Sequence, residues 1–475
     1  MNNKRQHLLQ LSARLAIRPV DWRSFRLCQS REKWLHQLLV LSIFLFIAAR
    51  ILSSRIYLDW DEELYLIISK VWMNGQIPYR DIFDHKPPFL YLLYFFLSFG
   101  GKTIWTVRLA VTAALVHSLV ATSRMFKNTF HRNTVERLVF VSFVLAALSF
   151  VGGITSNTES IYIPALLTAF YQLHQKRIGR AAIAGGIALS IKYTTIFDLL
   201  GIAMTLILLK NVRSTFMDVL RFLLVSGAIA IAQYLLFGLY FYTNDVDLVK
   251  CILLDNLAHA ADRLPLWSPS LLFSMCFVFC LVSVPGGVWL FSKRKLHHLR
   301  FMTALIIWAT LTLLQAMLTG QYYPHYFLPV ALPAAIAMTN INLSPTVIRI
   351  AAVFLLILGL RIFGGSTLSA YQFEKKVVVV KPYCHFVKEG YYVLDDISVY
   401  RICDVSVSER FVFPPFYLDA HFVKLSGSGG TQALRNKIEQ GTIPGVILFA
   451  DSMDLPPDLS DLSYPEVVEI PPLSQ

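Results

Sequence analysis

The stretch YLDWDEELYLIISKVWMNGQIPYRDIFDHKPPFLYLLYFFLSFGG, residues 57–101, decides how the rest of the chain is read. It opens with four carboxylates, Asp59, Asp61, Glu62 and Glu63, and continues with Leu64, Ile67, Ile68 and Val71 at helical spacing. That pattern predicts an amphipathic helix along a membrane surface, its acids at the N-terminus, where the helix dipole favours negative charge. A turn at Gly75 and Pro78 follows, then Arg80, Asp81 and Asp84, then Lys86-Pro87-Pro88. Proline suits the first turn of a helix, so a second short helix is expected at the Pro pair. One or two charges at a span end read as headgroup anchors. Acids and a lysine crowded onto two surface helices point to a site.

Composition supplies the frame around this stretch. Of 475 residues, 55% are hydrophobic and 15% charged, with mean hydropathy +0.55, whereas a soluble domain carries about a quarter charged residues. The chain reads as an α-helical polytopic membrane protein. Its net charge of +13 could suit nucleic acid, but the basic residues lie in short connections between apolar runs. They stand at Arg124, Lys127, Arg132 and Arg137, at Lys176, Arg177 and Arg180, at Lys210 and Arg213, at Lys293 to Lys295 and Arg300, and at Arg349. This is the positive-inside pattern of cytoplasmic loops, and it excludes nucleic acid as the partner.

Residues 1–33 are polar and basic and lack a signal-peptide cleavage site, so the first apolar run is expected to stay as an anchor with a cytoplasmic N-terminus. Spans are placed at 34–53, 104–126, 136–153, 157–174, 180–191, 195–209, 219–242, 269–292, 301–319, 325–341 and 347–363. The pair around Lys192 is short for a bilayer of about 30 Å, which predicts tilt or a re-entrant break. An odd span count puts 366–475 outside. There KKVVVV (375–380), YYVLDDISVYRI (391–402) and VILFA (446–450) read as β-type runs of a small α/β domain, and SGSGG (426–430) as a loop. Cys384 and Cys403 could form a disulfide there, although the spacing does not require it. Cys28 and Cys251 form no metal-type spacing, and Cys276 and Cys280 lie in an apolar run as packing residues.

DEELY followed by NGQIPYRDIFDHKPPFLYLLY closely resembles the first external loop of the GT-C superfamily. These are polytopic glycosyltransferases that use polyprenyl-phosphate sugars, of the protein mannosyltransferase-like and aminoarabinose-transferase-like kinds. The matching residues are Asp61, Glu62, Tyr65, Lys86, Pro87 and Pro88. SNTE (156–159) looks like the second acidic motif, giving Glu159, and YYPHYFLP (322–329) like a late outer segment, giving His325 and Tyr326. The resemblance implies a transmembrane GT-C-like catalytic domain over 34–365, with first outer loop 54–103, and an extracytoplasmic domain over 366–475. It also implies an integral protein of the plasma (inner) membrane.

Transfer from a lipid phosphate to a hydroxyl needs a carboxylate to take the hydroxyl proton and cations to stabilise the leaving phosphate. Asp59, Asp61 and Glu62 can each serve as the base, and the resemblance favours Asp61. Lys86 is the first cation expected and Lys192 the second, with snorkelling at the interface as the alternative for Lys192. Glu159 orients the acceptor, helps bind a metal or caps its helix. Tyr65, His325 and Tyr326 are expected to bind substrate, with satisfied span-end polarity the plainer reading of His325. Carboxylates are plentiful enough for a divalent cation, yet no spacing demands one, so the metal stays open. The acidic connection 243–268 reads as an interfacial anchor or an acceptor entrance. Expected partners are a polyprenyl-phosphate sugar, a lipid, glycan or protein acceptor, and membrane lipids. A transporter or flippase is the rival, weakened by the absence of two related halves. A non-catalytic scaffold is a further one.

Overall fold

The computed structural model describes residues 22–471 apart from 53–58, 131–132, 151–154, 210–211, 262–264, 266, 291–295, 340–343, 406, 408–409, 413, 420–422, 425, 451–454 and 464. Residues 1–21, Arg132, Lys210 and Lys293 to Lys295 therefore lie outside the described residues.

Helices stand at every expected span position. In chain order the chain forms α1 (Trp22–Leu52), then α2 (Trp60–Met73) and α3 (Pro88–Leu97) in the first long connection, and α4 (Trp105–Phe130). It continues through α5 (Thr134–Phe150), α6 (Thr158–His174), α7 (Ile178–Ile191), α8 (Ile196–Leu209), α9 (Val212–Tyr242) and the short α10 (Asp255–Ala261). Then come α11 (Pro269–Leu290), α12 (Leu296–Leu318), α13 (Ala331–Thr339) and α14 (Pro345–Val380). Among the described residues, 5 helices are long and apolar enough to cross a bilayer by themselves. Their outward faces fit lipid: Leu235, Leu236 and Leu239 on α9 and Ile350, Phe354 and Ile357 on α14 are exposed.

The short pair is a broken hairpin. α7 and α8 have 14 residues each, about 21 Å at the usual rise and short of a hydrocarbon core. Between them Lys192 is extended (φ −151°, ψ 110°) and Tyr193–Thr195 form a turn of 3-10 helix. Neighbours hold the hairpin: α7 packs on α6 and α9, and α8 on α12; elsewhere in the bundle α1 packs on α5 and α14.

α3 begins where the Pro pair predicts, with Pro87 as N-cap and Pro88 as first residue. Gly101 then closes against α2 with φ +78°, where a Cβ would stand 2.4 Å from the Leu66 carbonyl oxygen. α2 buries Leu64, Ile67, Ile68 and Val71 as its spacing predicts.

The tail corrects the sequence reading in part. KKVVVV at 375–380 is no strand: α14 has 36 residues and runs unbroken through it to Val380, past the boundary drawn at 365. A run of valines reads as β, but here it continues an established helix, and tertiary context overrides the weak propensity. Within 391–402 only Tyr392–Val393 (β1) is strand, and Ser398–Ile402 forms a helix, α16, after the short α15 (Cys384–Lys388). β2 (Val446–Phe449) and β3 (Val467–Ile470) complete a parallel sheet in the order β1-β2-β3, with Tyr392 opposite Val446 and Val446 opposite Val467. The helix Gly430–Glu439 (α17) buries Leu434 and Ile438 in the core of this α/β unit.

Cys384 and Cys403 form a disulfide between α15 and the end of α16. Cys276 corrects another expectation: it is exposed on α11, not packed. The tail also covers the polar side of α2. Arg401 of α16 forks onto Glu63 at 2.8–3.0 Å, and Lys70 reaches Asp404 at 2.5 Å.

Candidate active site

The three successive acids of α2 point in three directions, because each residue turns the helix by about 100°. Glu62 points into the bundle. It is fully buried and paired with the equally buried Arg108 of α4 (Nε to Oε1 3.0 Å, Nη2 to Oε2 2.5 Å), and it accepts the Ser156 N–H. It also accepts from the Asp59 N–H at 3.4 Å, so it ties the start of α2 to α4 and to the entry of α6. Glu62 is thus committed to a buried ion pair and lines neither of the two cavities described below. Glu63 faces the tail. Asp61 is left half-buried toward Lys86.

The loop from α2 to α3 fixes Lys86 through its main chain. The Tyr79 hydroxyl donates to the Lys86 carbonyl (2.6 Å), and the Asn256 amide donates to the His85 carbonyl (2.6 Å). Asp84 accepts from the Tyr91 hydroxyl (2.6 Å) and the His85 N–H (2.7 Å). Tyr65 is one turn beyond Asp61. Its hydroxyl bonds to Thr158 Oγ1 at 3.1 Å, and its ring meets Tyr91 and Tyr94 edge-on.

Glu159 lies in the first turn of α6, after Asn157, whose side chain accepts the Ser160 N–H. Its carboxylate forms a short ion pair with Lys192 and stands 4.0 Å from His325 Nε2. The Lys192 ammonium also lies 4.2 Å above the Tyr326 ring, which His325 meets edge-on. The broken hairpin therefore delivers Lys192 to the same place as the acidic motif of α6 and the segment Pro324–Val330. A cavity of about 440 Å³ opens there, lined by Lys86, Thr158, Lys192, Tyr193 and Tyr326 on one side and by α10 on the other. Asp61 is not part of that lining, yet it is the strongest charge partner of Lys86, which is.

The charges separate the carboxylates by state. Burial pushes Asp61 up, but Lys86, His325, a hydrogen bond from Tyr65 and Lys192 outweigh it and hold the carboxyl below its usual range. Asp59 moves the other way, to about 7, through burial and then the charges of Asp61 and Glu62. Burial lifts Asp84 to about 6. Burial disfavours the Lys86 ammonium, but Asp61, Tyr326, Asp84 and Glu159 more than offset that and raise its pKa. Near neutrality the site holds an ionised Asp61 beside a lasting cation. Among the described residues, no group of three or more His, Cys, Asp and Glu is placed to hold a metal ion.

A second cavity of about 620 Å³ lies on the other side of α10, between Tyr79–Phe83, the connection after α9 and tail residues Arg410 and Lys424. Of the acidic connection 243–268, Asp245, Asp247, Lys250 and Asp255 line it, while Asp262 and Arg263 lie outside the described residues. A turn of π-helix, Lys250–Leu254, leads into α10 at this partition.

No protein-family model matches the sequence, and no curated protein matches it. Among solved structures, ArnT from Cupriavidus metallidurans bound to undecaprenyl phosphate is similar, with TM-score 0.50 over 89% of this chain and 83% of that one, at 13% sequence identity. The chain has a GT-C-like fold. Within this GT-C-like frame, residues that sequence reasoning passed over also shape the site. Arg108 partners Glu62, and a lone arginine inside an apolar span is the signal that could have found it. Asn256 and Tyr79 had no such signal, because their role is to hold main-chain carbonyls.

Proposed function

We propose that the chain is an integral membrane glycosyltransferase that takes a sugar from a polyprenyl-phosphate carrier and attaches it to a hydroxyl of a lipid, glycan or protein. The observation that carries this reading is that Lys86 and Lys192, from distant parts of the chain, share one cavity wall beside the ionised Asp61. The undecaprenyl phosphate bound to the similar ArnT supports a polyprenyl carrier. The site would lie at the extracytoplasmic face of the inner membrane, with the tail outside and the N-terminus cytoplasmic.

In this reading the donor phosphate sits between Lys86 and Lys192, displacing Glu159 from Lys192, and the Tyr326 and Tyr193 rings flank it. Asp61 takes the acceptor proton as the acceptor oxygen bonds to the anomeric carbon. The bond from that carbon to the phosphate oxygen breaks, its electron pair leaves with polyprenyl phosphate, and the centre inverts. Empty, the site makes Asp61 a weak base. A bound phosphate offsets the two ammonium charges and restores Asp61's basicity when the acceptor is to be deprotonated. The acceptor would enter through the 620 Å³ cavity across α10.

The direct test gives the purified chain in detergent an undecaprenyl-phosphate sugar with a labelled sugar and a membrane lipid extract. The expected result is label in a new glycoside and free undecaprenyl phosphate. No glycoside in detergent, together with label that crosses the membrane of vesicles holding the same purified chain while still on its carrier, would replace the reading with a flippase.

Asp59 predicts a pH dependence. Its pKa of about 7 means that raising the pH from 6 to 8 removes its proton and adds a negative charge beside a site for an anionic donor. The donor is a phosphodiester and does not titrate in that range. The donor KM is expected to rise about threefold to tenfold between pH 6 and 8, since an added charge at partly screened distance is worth on the order of 1 kcal/mol. Asp59→Asn should flatten the profile, and a profile identical to wild type would sink the assignment.

A further inference from the structure

We propose that Gln315, held in place by Asp198, is the positioning residue for the Lys192–Glu159 pair and so sets donor-phosphate affinity, an inference that rests on the glycosyltransferase reading. Asp198 is fully buried between α8 and α12. A carboxylate there is tolerated only when its oxygens are satisfied. The Trp308 indole N–H (3.1 Å) and the Thr312 hydroxyl (2.7 Å) donate to Oδ1. Oriented so that its nitrogen faces the acceptors around it, the Gln315 amide donates to Oδ2 at 3.0 Å, from the same face of α12. Gly201 permits this approach: a Cβ at that position would lie 2.4 Å from the Trp308 ring.

Gln315 does more than satisfy Asp198. In that orientation, the one that satisfies both ends of the amide, its nitrogen also donates to the Thr194 carbonyl at 2.8 Å and its oxygen accepts from the Tyr162 hydroxyl at 3.2 Å. Thr194 is two residues beyond Lys192, in the turn that breaks the hairpin. Tyr162 is three residues beyond Glu159, on the same face of α6. A single buried amide thus ties both members of the ion pair to α12, whose last residue, Leu318, lines the cavity. None of Asp198, Gln315 and Tyr162 lines the cavity, so their influence passes through Lys192 and Glu159.

If the network only joined α8 to α12, its loss would lower stability without selectively freeing Lys192. The test compares wild type with Gln315→Leu as purified full-length protein. In ligand-free protein, an amine-directed reagent labels lysines and peptide mass spectrometry reads the rates. Gln315→Leu is expected to speed Lys192 labelling about threefold, as a local opening would, while Lys376, buried near the end of α14, is unchanged. An unchanged Lys192 rate, or equal acceleration at Lys376, overturns the proposal. Undecaprenyl phosphate binding is the second readout. Gln315→Leu should weaken it about tenfold in the wild-type background and hardly at all in Lys192→Met, the non-additivity expected of a residue acting through another. Equal weakening in both backgrounds also overturns the proposal. Wild-type protein that binds no undecaprenyl phosphate would instead remove the donor reading, and the labelling would still decide the positioning.

Discussion

Asp61→Asn is expected to lower kcat by about a thousandfold, within the range that loss of a general base produces. The substitution keeps shape and size but cannot take the acceptor proton. Donor binding should behave oppositely. Asp61 is a negative charge facing Lys86 with Lys192 in its field. Removing that charge leaves both ammonium groups freer to hold a phosphate, so undecaprenyl phosphate should bind as tightly as in wild type or several-fold more tightly, as a charge change at short range allows. Loss of turnover with retained or improved donor binding separates a missing base from a damaged fold. Single-turnover transfer and a binding titration on the same preparation would check it. Retention of a tenth or more of wild-type turnover would move the base to Asp59, the remaining acid of the group that is not committed to a buried pair.

Arg108→Leu should produce the largest loss of stability. Arg108 and Glu62 are both fully buried, and removing the guanidinium takes away the bonded partner of a carboxylate with no exposure to water, leaving the charge of the buried Arg50 in its field. Breaking such a pair from one side costs about 3–5 kcal/mol. The damage extends beyond α4, because Glu62 also accepts the N–H groups of Ser156 and Asp59. The start of α2 and the entry to α6, which carry Asp61 and Glu159, would loosen together. A fall of about 5 °C or more in the melting temperature of the detergent-solubilised protein is expected. The double variant Glu62→Met with Arg108→Leu should recover part of the loss but not all, because the two main-chain donors remain unsatisfied. A single variant that melts with wild type would show that the pair has no structural weight.

Much of this architecture is legible from the chain. Apolar runs and basic connections locate the helices, because bilayer thickness and loop charge are read residue by residue along the sequence. The start of α3 follows from the Pro pair, and the apolar face of α2 from its spacing. KKVVVV misleads because local propensity takes no account of a 36-residue helix arriving from upstream. Glu62 and Asp61 are neighbours of the same chemical type, and nothing in their order says which one meets Arg108. The helix phase against α4 decides that.

By itself the sequence determined that this is a helical membrane chain with charge concentrated in its first long connection, since hydropathy and charge act locally and survive in a one-dimensional reading. Only the tertiary structure decided which charges meet. It paired Glu62 with Arg108 and Glu63 with Arg401, left Asp61 facing Lys86, and brought Lys192 to Glu159 across a broken hairpin. Electrostatic strength depends on separation and burial, and both are set by how the helices pack.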